Sequence, residues 1–469
     1  MKFPSRSRRS ERGSVLIVVL WISFGLVTLA LYFANSMGME LRAADNRLAG
    51  LEAEQAIAGA VRYASMVITN GTTPGTLPDP EAYQRADVPV GDAAFWFIGR
   101  NDQQRNRDQV YFGLVDEASK LNLNTATLTQ LQLLPRMTPE LAAAIVDWRD
   151  SNSEVTTGGA EDEIYQRLNP AYHCKNGPFD TVEELRLVYG MTMEILYGED
   201  ANYNGALDPT ENDGDELMPK DDRNGTLDPG LAEYLTVWSR EPSTGLTNVN
   251  DQQQLAPLLQ EKFGVDRANQ ILAQFGGSSN TNRPPGGGGG GGGNTTRTVG
   301  SLIEFYTVGQ LTQSEFQQIY SLITTTNTTV TGLVNINTAS EAVLVCIPGI
   351  GTERAATVVS YRQGNASQLT TVAWLVDAIG AEAALQAGPY VTARSYVYSG
   401  DVVALGHHDR GYHRVASVLD ASDGTPRVVY RQDLTQLGWA LGRDVREQLD
   451  IDRYDRATQP PRGSTLTRF

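Results

Sequence analysis

Residues 12–68 read RGSVLIVVLWISFGLVTLALYFANSMGMELRAADNRLAGLEAEQAIAGAVRYASMVI. Ser14 to Ala34 are 21 residues without a charge, and a run of ~20 apolar residues is long enough to cross a bilayer as a helix. Ahead of it lie Lys2, Arg6, Arg8, Arg9 and Arg12, opposed only by Glu11. Such a basic flank stays in the cytoplasm and sends the remainder outward. Beyond Ala34 the stretch is rich in Ala, Leu and Glu, contains no proline, and keeps apolar residues at helical spacing (Leu41, Ala44, Leu48, Leu51, Ala58, Val61). Glu54 and Gln55 interrupt that stripe for one turn. The pattern predicts one helix from about Val15 to Met66, about 78 Å long at 1.5 Å per residue. Half of it would lie in lipid and half would pack on a soluble domain.

A cleavable secretory signal needs a small-residue site after its apolar core, and Tyr32-Phe33-Ala34-Asn35 does not supply one well. Instead Gly13 sits where the charged leader meets the apolar run. That arrangement resembles a type IV prepilin signal, cut on the cytoplasmic side between Gly13 and Ser14 with the helix retained. A plain single-pass anchor is the alternative. Counting from Ser14, the fifth residue is Val18, where most pilins and pseudopilins carry a glutamate.

The full chain of 469 residues is enough for two to four domains. An apolar content of 41% allows real cores, and a net charge of −17 argues against a general binder of nucleic acid or anionic membrane outside the leader. Cys174 and Cys346 are the only cysteines, so this is no disulfide scaffold, although one bridge is open in an oxidising compartment.

Strand-like runs occur at 93–98 and 109–115, separated by a polar turn from Arg100 to Asp108, and again only at 390–405, 414–419 and 427–431. Ser422-Asp423-Gly424 is a hairpin signal between the last two. Between these groups lies an internal repeat. LNLNTATLTQLQLLPRMTPELAAAIVDWR (121–149) aligns without a gap on VNINTASEAVLVCIPGIGTERAATVVSYR (334–362), and 11 of 29 positions are identical, among them Asn122/Asn335, Asn124/Asn337, Pro135/Pro348 and Arg149/Arg362. Phe179–Leu185 and Leu369–Leu375 form a second matched pair, which leaves the first copy about 23 residues longer. A weaker third echo starts at Asn248-Val249-Asn250 and keeps Ala268 and Ile271 in register. Gly286 to Gly293, after Pro284-Pro285, reads as a flexible spacer.

The expected architecture is therefore α+β: a long N-terminal helix and an antiparallel sheet, interrupted by a large α-helical domain of repeated units. The chain divides into a leader (1–13), a transmembrane half-helix (14–34), and a stalk helix with the first strands (35–115). A first helical unit with acidic loops (116–245) follows, then the weak third repeat and poly-glycine loop (246–333). A second helical unit (334–393) precedes the C-terminal strands and tail (394–469).

Pro348-Gly349-Ile350-Gly351 between apolar helical runs is a helix-hairpin-helix signature. In DNA-binding versions the glycines let backbone N–H groups approach a phosphate. The first copy, Pro135-Arg136-Met137-Thr138, has lost both glycines. Segment 116–150 holds three Lys/Arg against five Asp/Glu, and 334–362 balances two against two. The cations that phosphate binding requires are missing, so the hairpins read as structural. Cys346 aligns with Leu133 and reads as a buried thiol.

Asp200-Ala-Asn202-Tyr-Asn204-Gly205-Ala206-Leu-Asp208-Pro-Thr-Glu211 fits a calcium loop at positions 1, 3, 5, 6, 9 and 12, with position 7 (Ala206) giving a backbone carbonyl. A second stretch with Asp222, Asn224, Thr226 and Asp228 repeats the Asn-Gly-x-Leu-Asp core. Lys220 and Leu231 stand at its first and twelfth positions, so it needs donors from elsewhere, with Asp213, Asp215 and Glu233 as candidates. One or two Ca2+ ions would offset carboxylate repulsion and fix the loops, a structural role; an acidic solvated turn is the bland alternative. Three of the four histidines crowd into 407–413, a polar hairpin tip, with a transition-metal site as the other reading. No nucleophile elbow, phosphate loop or His-Glu-x-x-His motif occurs, and nothing argues for an enzyme.

Taken in order along the chain, several features resemble the minor pseudopilin K family of type II secretion systems (general secretion pathway protein K). These are the Gly13-Ser14 junction, Val18 without its glutamate, the Asn-x-Asn-Thr-Ala units, Pro178–Leu185 and the acidic loops. The resemblance implies a pilin-like fold with a large inserted domain of helix-hairpin-helix, SAM-like units, and calcium in that region. It implies cleavage by prepilin peptidase and N-methylation. It also implies a single-pass inner-membrane anchor with the domain in the periplasm, and a place at the pseudopilus tip beside I- and J-type minor pseudopilins. There the chain would support export of folded proteins, meeting the secretin or exoproteins and no nucleic acid. In most pilins the fifth-residue glutamate pairs with the neighbouring subunit's N-terminal amine, and a tip subunit has no subunit above it. Alternatives are a membrane-anchored, ComEA-like DNA receptor and a type IV pilus minor pilin.

Overall fold

The structure, a computed structural model, describes residues 12–71, 75–101, 108–276 and 297–458. The leader ahead of Arg12 and the poly-glycine run lie outside the described residues. Helix α1 (Arg12–Thr69) has 58 residues, about 87 Å. It divides into two halves by what its side chains meet. From Val15 to Phe33 every large apolar side chain is more than half exposed, and this part is long and apolar enough to cross a membrane. From Ala49 onward, Ala49, Ala53, Ala56, Ala60 and Ala64 are buried. Their small side chains let the helix backbone approach the sheet closely.

Strands β1 (Val88–Val90) and β2 (Ala93–Ile98) form an antiparallel hairpin, and β3 (Val115–Asp116) follows. The chain then leaves the sheet. Three parallel two-residue pairings follow: β4 (Leu121–Asn122) with β5 (Leu235–Thr236), β7 (Thr247–Asn248) with β8 (Ile323–Thr324), and β10 (Val334–Asn335) with β11 (Val391–Thr392). β6 (Arg240–Glu241) pairs antiparallel with β9 (Val330–Thr331). The chain rejoins the sheet at β12 (Val397–Gly406), β13 (Arg410–Asp420) and β14 (Arg427–Asp433), giving the order β1-β2-β12-β13-β14 with β3 also on β12. A sheet packed on a long helix is thus interrupted by a helical domain inserted between β3 and β12.

Both faces of the sheet are covered. Phe95, Phe97, Val402, Ala404 and Val415 face Ala53, Ile57 and Ala60 of α1. Trp96, Ile98, Val403 and Leu405 pack with Ala440, Leu441, Val445 and Leu449. Burial on both sides is why β2 reads as a continuous apolar run rather than an alternating one.

Three sequence expectations change. Residues 109–115 do not form a full strand: β2 occupies Asp401–Leu405 of β12 and β3 occupies Tyr398–Ser399. The segment between keeps only a bridge from Phe112 to Ile98. The run 390–405 splits, because β11 closes a helical unit while β12 belongs to the sheet. The C-terminal tail contains a helix, Gly442–Thr458. Its charged sequence hid the two apolar residues, Val445 and Leu449, that seat it.

Each unit of the insertion opens on the same asparagine pair. The second asparagine grips the backbone of a distant loop with its whole carboxamide. Asn124 accepts from Phe179 N (2.7 Å) and donates to Phe179 O (3.0 Å), and Asn250 does the same to Val299 at 2.8 and 3.0 Å. Asn337 donates to Leu369 O at 2.9 Å and accepts from Trp374 Nε1 at 2.9 Å. Arg149 donates to Leu123 O and Ala126 O, as Arg362 does to Ile336 O and Ala339 O. The repeated polar residues therefore satisfy buried carbonyls, as buried backbone requires.

Candidate cation-binding loops

The loop from Asp200 to Glu211 winds around its own polar groups. Asp200 accepts from the N–H groups of Asn204 (3.0 Å) and Gly205 (2.9 Å). Asn202 Oδ1 accepts from Asn204 N, and Asn204 Oδ1 from Ala206 N. Glu211 closes the loop, accepting from Ala201 N (2.9 Å) and Asp208 N (3.0 Å). Gly205 turns the chain at φ +71°, a conformation favoured by glycine. Asp200, Asn204 and Glu211 are buried. Burial, together with the Asp200 charge, pushes the Glu211 carboxyl up to about 9. Burial also raises Asp200 and Asp208.

Two buried carboxylates and the half-buried Asp208, with two asparagine oxygens and the Ala206 carbonyl in one short loop, are a hard-oxygen donor set of the calcium type. Among the described residues no group of three or more His, Cys, Asp or Glu side chains converges tightly enough to hold a metal by itself. The asparagines and a main-chain carbonyl would complete the set.

The second loop is held to the first. Asp222 Oδ1 accepts from Asn224 N, and Asn224 Oδ1 accepts from Thr226 N. The three supplementary donors suggested by sequence turn elsewhere. Asp215 pairs with Lys220 at 3.2 Å, Glu233 pairs with Arg100 at 2.9 Å, and Asp213 accepts from Leu217 N. The carboxylate that joins this loop is Glu199, which accepts from Asp228 N at 3.3 Å while its own N–H donates to Asp228 O at 2.7 Å. Burial is the main cause that raises its pKa, with Asp228 and Asp222 adding to it. The loops touch backbone to backbone at Gly198 and Gly230, where a Cβ on either would lie 2.4 Å or less from the other strand. Those two glycines, one before the first loop and one after the second, were the readable signal of this crossing. Arg136 then pairs with Asp228 and donates to Glu194 O.

The first loop is also stitched to the sheet. Arg414 of β13, fully buried, pairs with Asp401 of β12 through Nε (2.9 Å) and Nη2 (2.5 Å), and donates to the carbonyls of Asn202 and Tyr203. Arg100, just past β2, donates to Tyr203 O at 2.9 Å, and Asn202 Nδ2 donates to Trp439 O at 3.0 Å. Sequence reasoning did not find these arginines, because the loop carbonyls they serve are over a hundred residues away.

Of the two helix-hairpin-helix glycines, the first is consumed by packing, while a Cβ on Gly351 would meet nothing. Gly349, at φ +82°, lies so close to the helix 381–387 that a Cβ would sit 2.3 Å from Ala383 O. Arg136, the aligned residue, adopts the same left-handed conformation at φ +59°. The histidine tip meets α1: His407 Nδ1 lies 2.7 Å from Glu52 and Nε2 lies 3.0 Å from Asp45. Its pKa is raised first by the Asp45 hydrogen bond and then by Glu52. Both cysteines are free and buried. Gly13 and Ser14 fall in the first turn of α1.

Residues 104–197 match the family described as type II secretion system (T2SS), protein K, and residues 330–392 match the helix-hairpin-helix motif. A type II secretion system protein K from Aeromonas hydrophila is 30% identical over 216 residues, covering 43% of this chain and 65% of that protein. One from Klebsiella pneumoniae is 40% identical over 67 residues, 14% of this chain and 21% of that protein. The chain thus covers less than two thirds of the length of these relatives. Among solved structures, the GspK-GspI-GspJ complex of the enterotoxigenic Escherichia coli type 2 secretion system covers 85% of this chain and 98% of its own, at 12% identity and a TM-score of 0.37.

Proposed function

We propose that the chain, similar over part of its length to type II secretion system protein K, is a minor pseudopilin at the tip of the secretion pseudopilus. There it would support export of folded proteins across the outer membrane. The observation that carries the reading is the divided helix α1: an unpacked apolar half, and an alanine-lined half seated on a sheet that a helical domain interrupts. A single-pass inner-membrane anchor with a periplasmic domain accounts for both halves. Prepilin peptidase would cut between Gly13 and Ser14, and the new amine would be methylated. Val18, with no carboxylate to offer, suits a subunit with none above it. I- and J-type minor pseudopilins would pack along α1, and the bulk of the inserted SAM-like units would block further addition. Asp200, Asn202, Asn204, the Ala206 carbonyl, Asp208 and Glu211 would hold one Ca2+. Asp222, Asn224, Thr226 and Asp228, with Glu199, would hold a second. Bound calcium would neutralise buried carboxylates at the point where the insertion docks on the sheet. Removing the gene should leave exoproteins in the periplasm, and full-length chain should restore their appearance in the medium. Unchanged secretion in the deletion strain would overturn the proposal.

A further inference from the structure

A cleft of about 210 Å³ opens between the sheet and the first helical unit. Four half-buried aromatic side chains line it from three separate segments: Tyr197 and Tyr203 of the first unit, Trp238 just past β5, and Tyr430 of β14. They stand in two tilted pairs. The ring centroids of Tyr197 and Tyr203 are 4.9 Å apart at 36°, and those of Trp238 and Tyr430 are 5.6 Å apart at 34°.

Glu183 lines the same cleft, half-buried, and enters no ion pair among the described residues. Its neighbour Glu184 is used by the fold, accepting from Trp148 Nε1 and pairing with Lys175. In the last unit the position aligned with Glu183 is Ala373, so a carboxylate there is no requirement of the repeat. The tyrosines feel it nonetheless. Burial is the first cause that raises Tyr197, Tyr203 and Tyr430, and the Glu183 charge adds to all three. The two cations lining the cleft are already engaged, Arg100 with Glu233 and Lys120 with Glu117. The exposed Arg186 lies beside Tyr197 without lining the cleft.

A carboxylate among open ring faces suits a cation, because each face carries the negative end of the aromatic quadrupole. The volume is below the roughly 300–1,000 Å³ that holds a whole small molecule, so it fits one side chain. A guanidinium matches it better than an ammonium, since it lies flat on an aromatic ring and makes two parallel bonds to a carboxylate. The sheet region meets α1 only from Asp45 onward, twelve residues and about 18 Å beyond Phe33. The cleft therefore stands clear of the apolar half-helix, which favours a protein side chain over a lipid headgroup.

We propose that Glu183, Tyr197, Tyr203, Trp238 and Tyr430 form a pocket for an arginine side chain presented by a partner protein. β14 is the edge of the sheet, so a partner segment reaches the pocket without displacing another strand. The net charge of −17 draws a basic partner toward it. The pocket goes beyond a role at the pseudopilus tip and does not rest on that reading.

The test titrates the full-length chain, in a non-ionic detergent, with the peptide acetyl-Ala-Arg-Ala-amide and follows saturation-transfer NMR. The arginine side chain should give the strongest transfer. The citrulline peptide, of the same shape but neutral, should bind about tenfold more weakly. Glu183→Gln should weaken the arginine peptide by about tenfold, and Tyr430→Leu by several-fold. The citrulline comparison needs no variant, so it holds even where a substitution disturbs the fold. Equal binding of the two peptides, or unchanged binding in Glu183→Gln, would overturn the pocket. Choline binding more tightly than the arginine peptide would assign the cleft to a headgroup and overturn the arginine reading.

Discussion

Replacing Arg414 with methionine tests whether the acidic loop and the sheet are one cooperative unit. Methionine keeps most of the apolar stem, so the change isolates the guanidinium. In the structure that group is fully buried and makes a two-pronged pair with Asp401, whose side chain is 13% exposed. Removing one partner of a buried pair costs about 3–5 kcal/mol, mainly because the other charge is stranded. Two loop carbonyls also lose a donor, although Arg100 still serves Tyr203 O, so only Asn202 O is left without one. The expected loss is about 4 kcal/mol. Guanidinium unfolding of the full chain in detergent, followed by tryptophan fluorescence, would measure it. Asp401→Asn removes the stranded charge, so the double variant should recover about 2 kcal/mol relative to the sum of the singles. A loss below about 1 kcal/mol for Arg414→Met, or strict additivity with Asp401→Asn, would refute this reasoning.

The remaining predictions concern the loops, the histidine clip and the hairpin. Glu211 titrates at about 9 when folded, against a usual value of 4.5, so between those values the folded chain holds the extra proton and stability falls as pH rises. Chelated protein should therefore lose stability from about pH 5 to pH 9, and calcium should flatten the slope; parallel denaturation curves with and without calcium would contradict the loop assignment. His407 is raised while Asp45 and Glu52 are lowered. The clip should be strongest between the carboxylate and imidazole ranges and weaken as pH rises past the histidine. Glu52→Gln should lower the His407 pKa measured by NMR, and an unmoved titration would remove Glu52 from the clip. Gly349→Ala should destabilise by about 1–3 kcal/mol in thermal unfolding, because the methyl would strike Ala383 O. A neutral effect would free that turn for another role.

What could be read from the sequence was what repeats or runs locally. The long helix, β2 and the asparagine-led units announce themselves through periodicity and self-similarity within a few tens of residues. The loop pattern at 200–211 was equally local. The partners that give these elements meaning were not. Arg414 reaches Asn202 across more than two hundred residues, and Asp116 at the end of β3 binds Asn335 and Thr338 of the last unit. Glu199 escaped notice because it precedes the loop pattern. The C-terminal helix was missed for the opposite reason, since two apolar residues among many charges carry too little periodic signal.

The most direct test of the account is the intact mass of the chain isolated from membranes, with and without prepilin peptidase. The account predicts a species beginning at N-methylated Ser14 when the peptidase is present, and the uncut chain when it is absent. A chain still carrying its leader despite the peptidase, or one cut beyond the apolar segment, would contradict it.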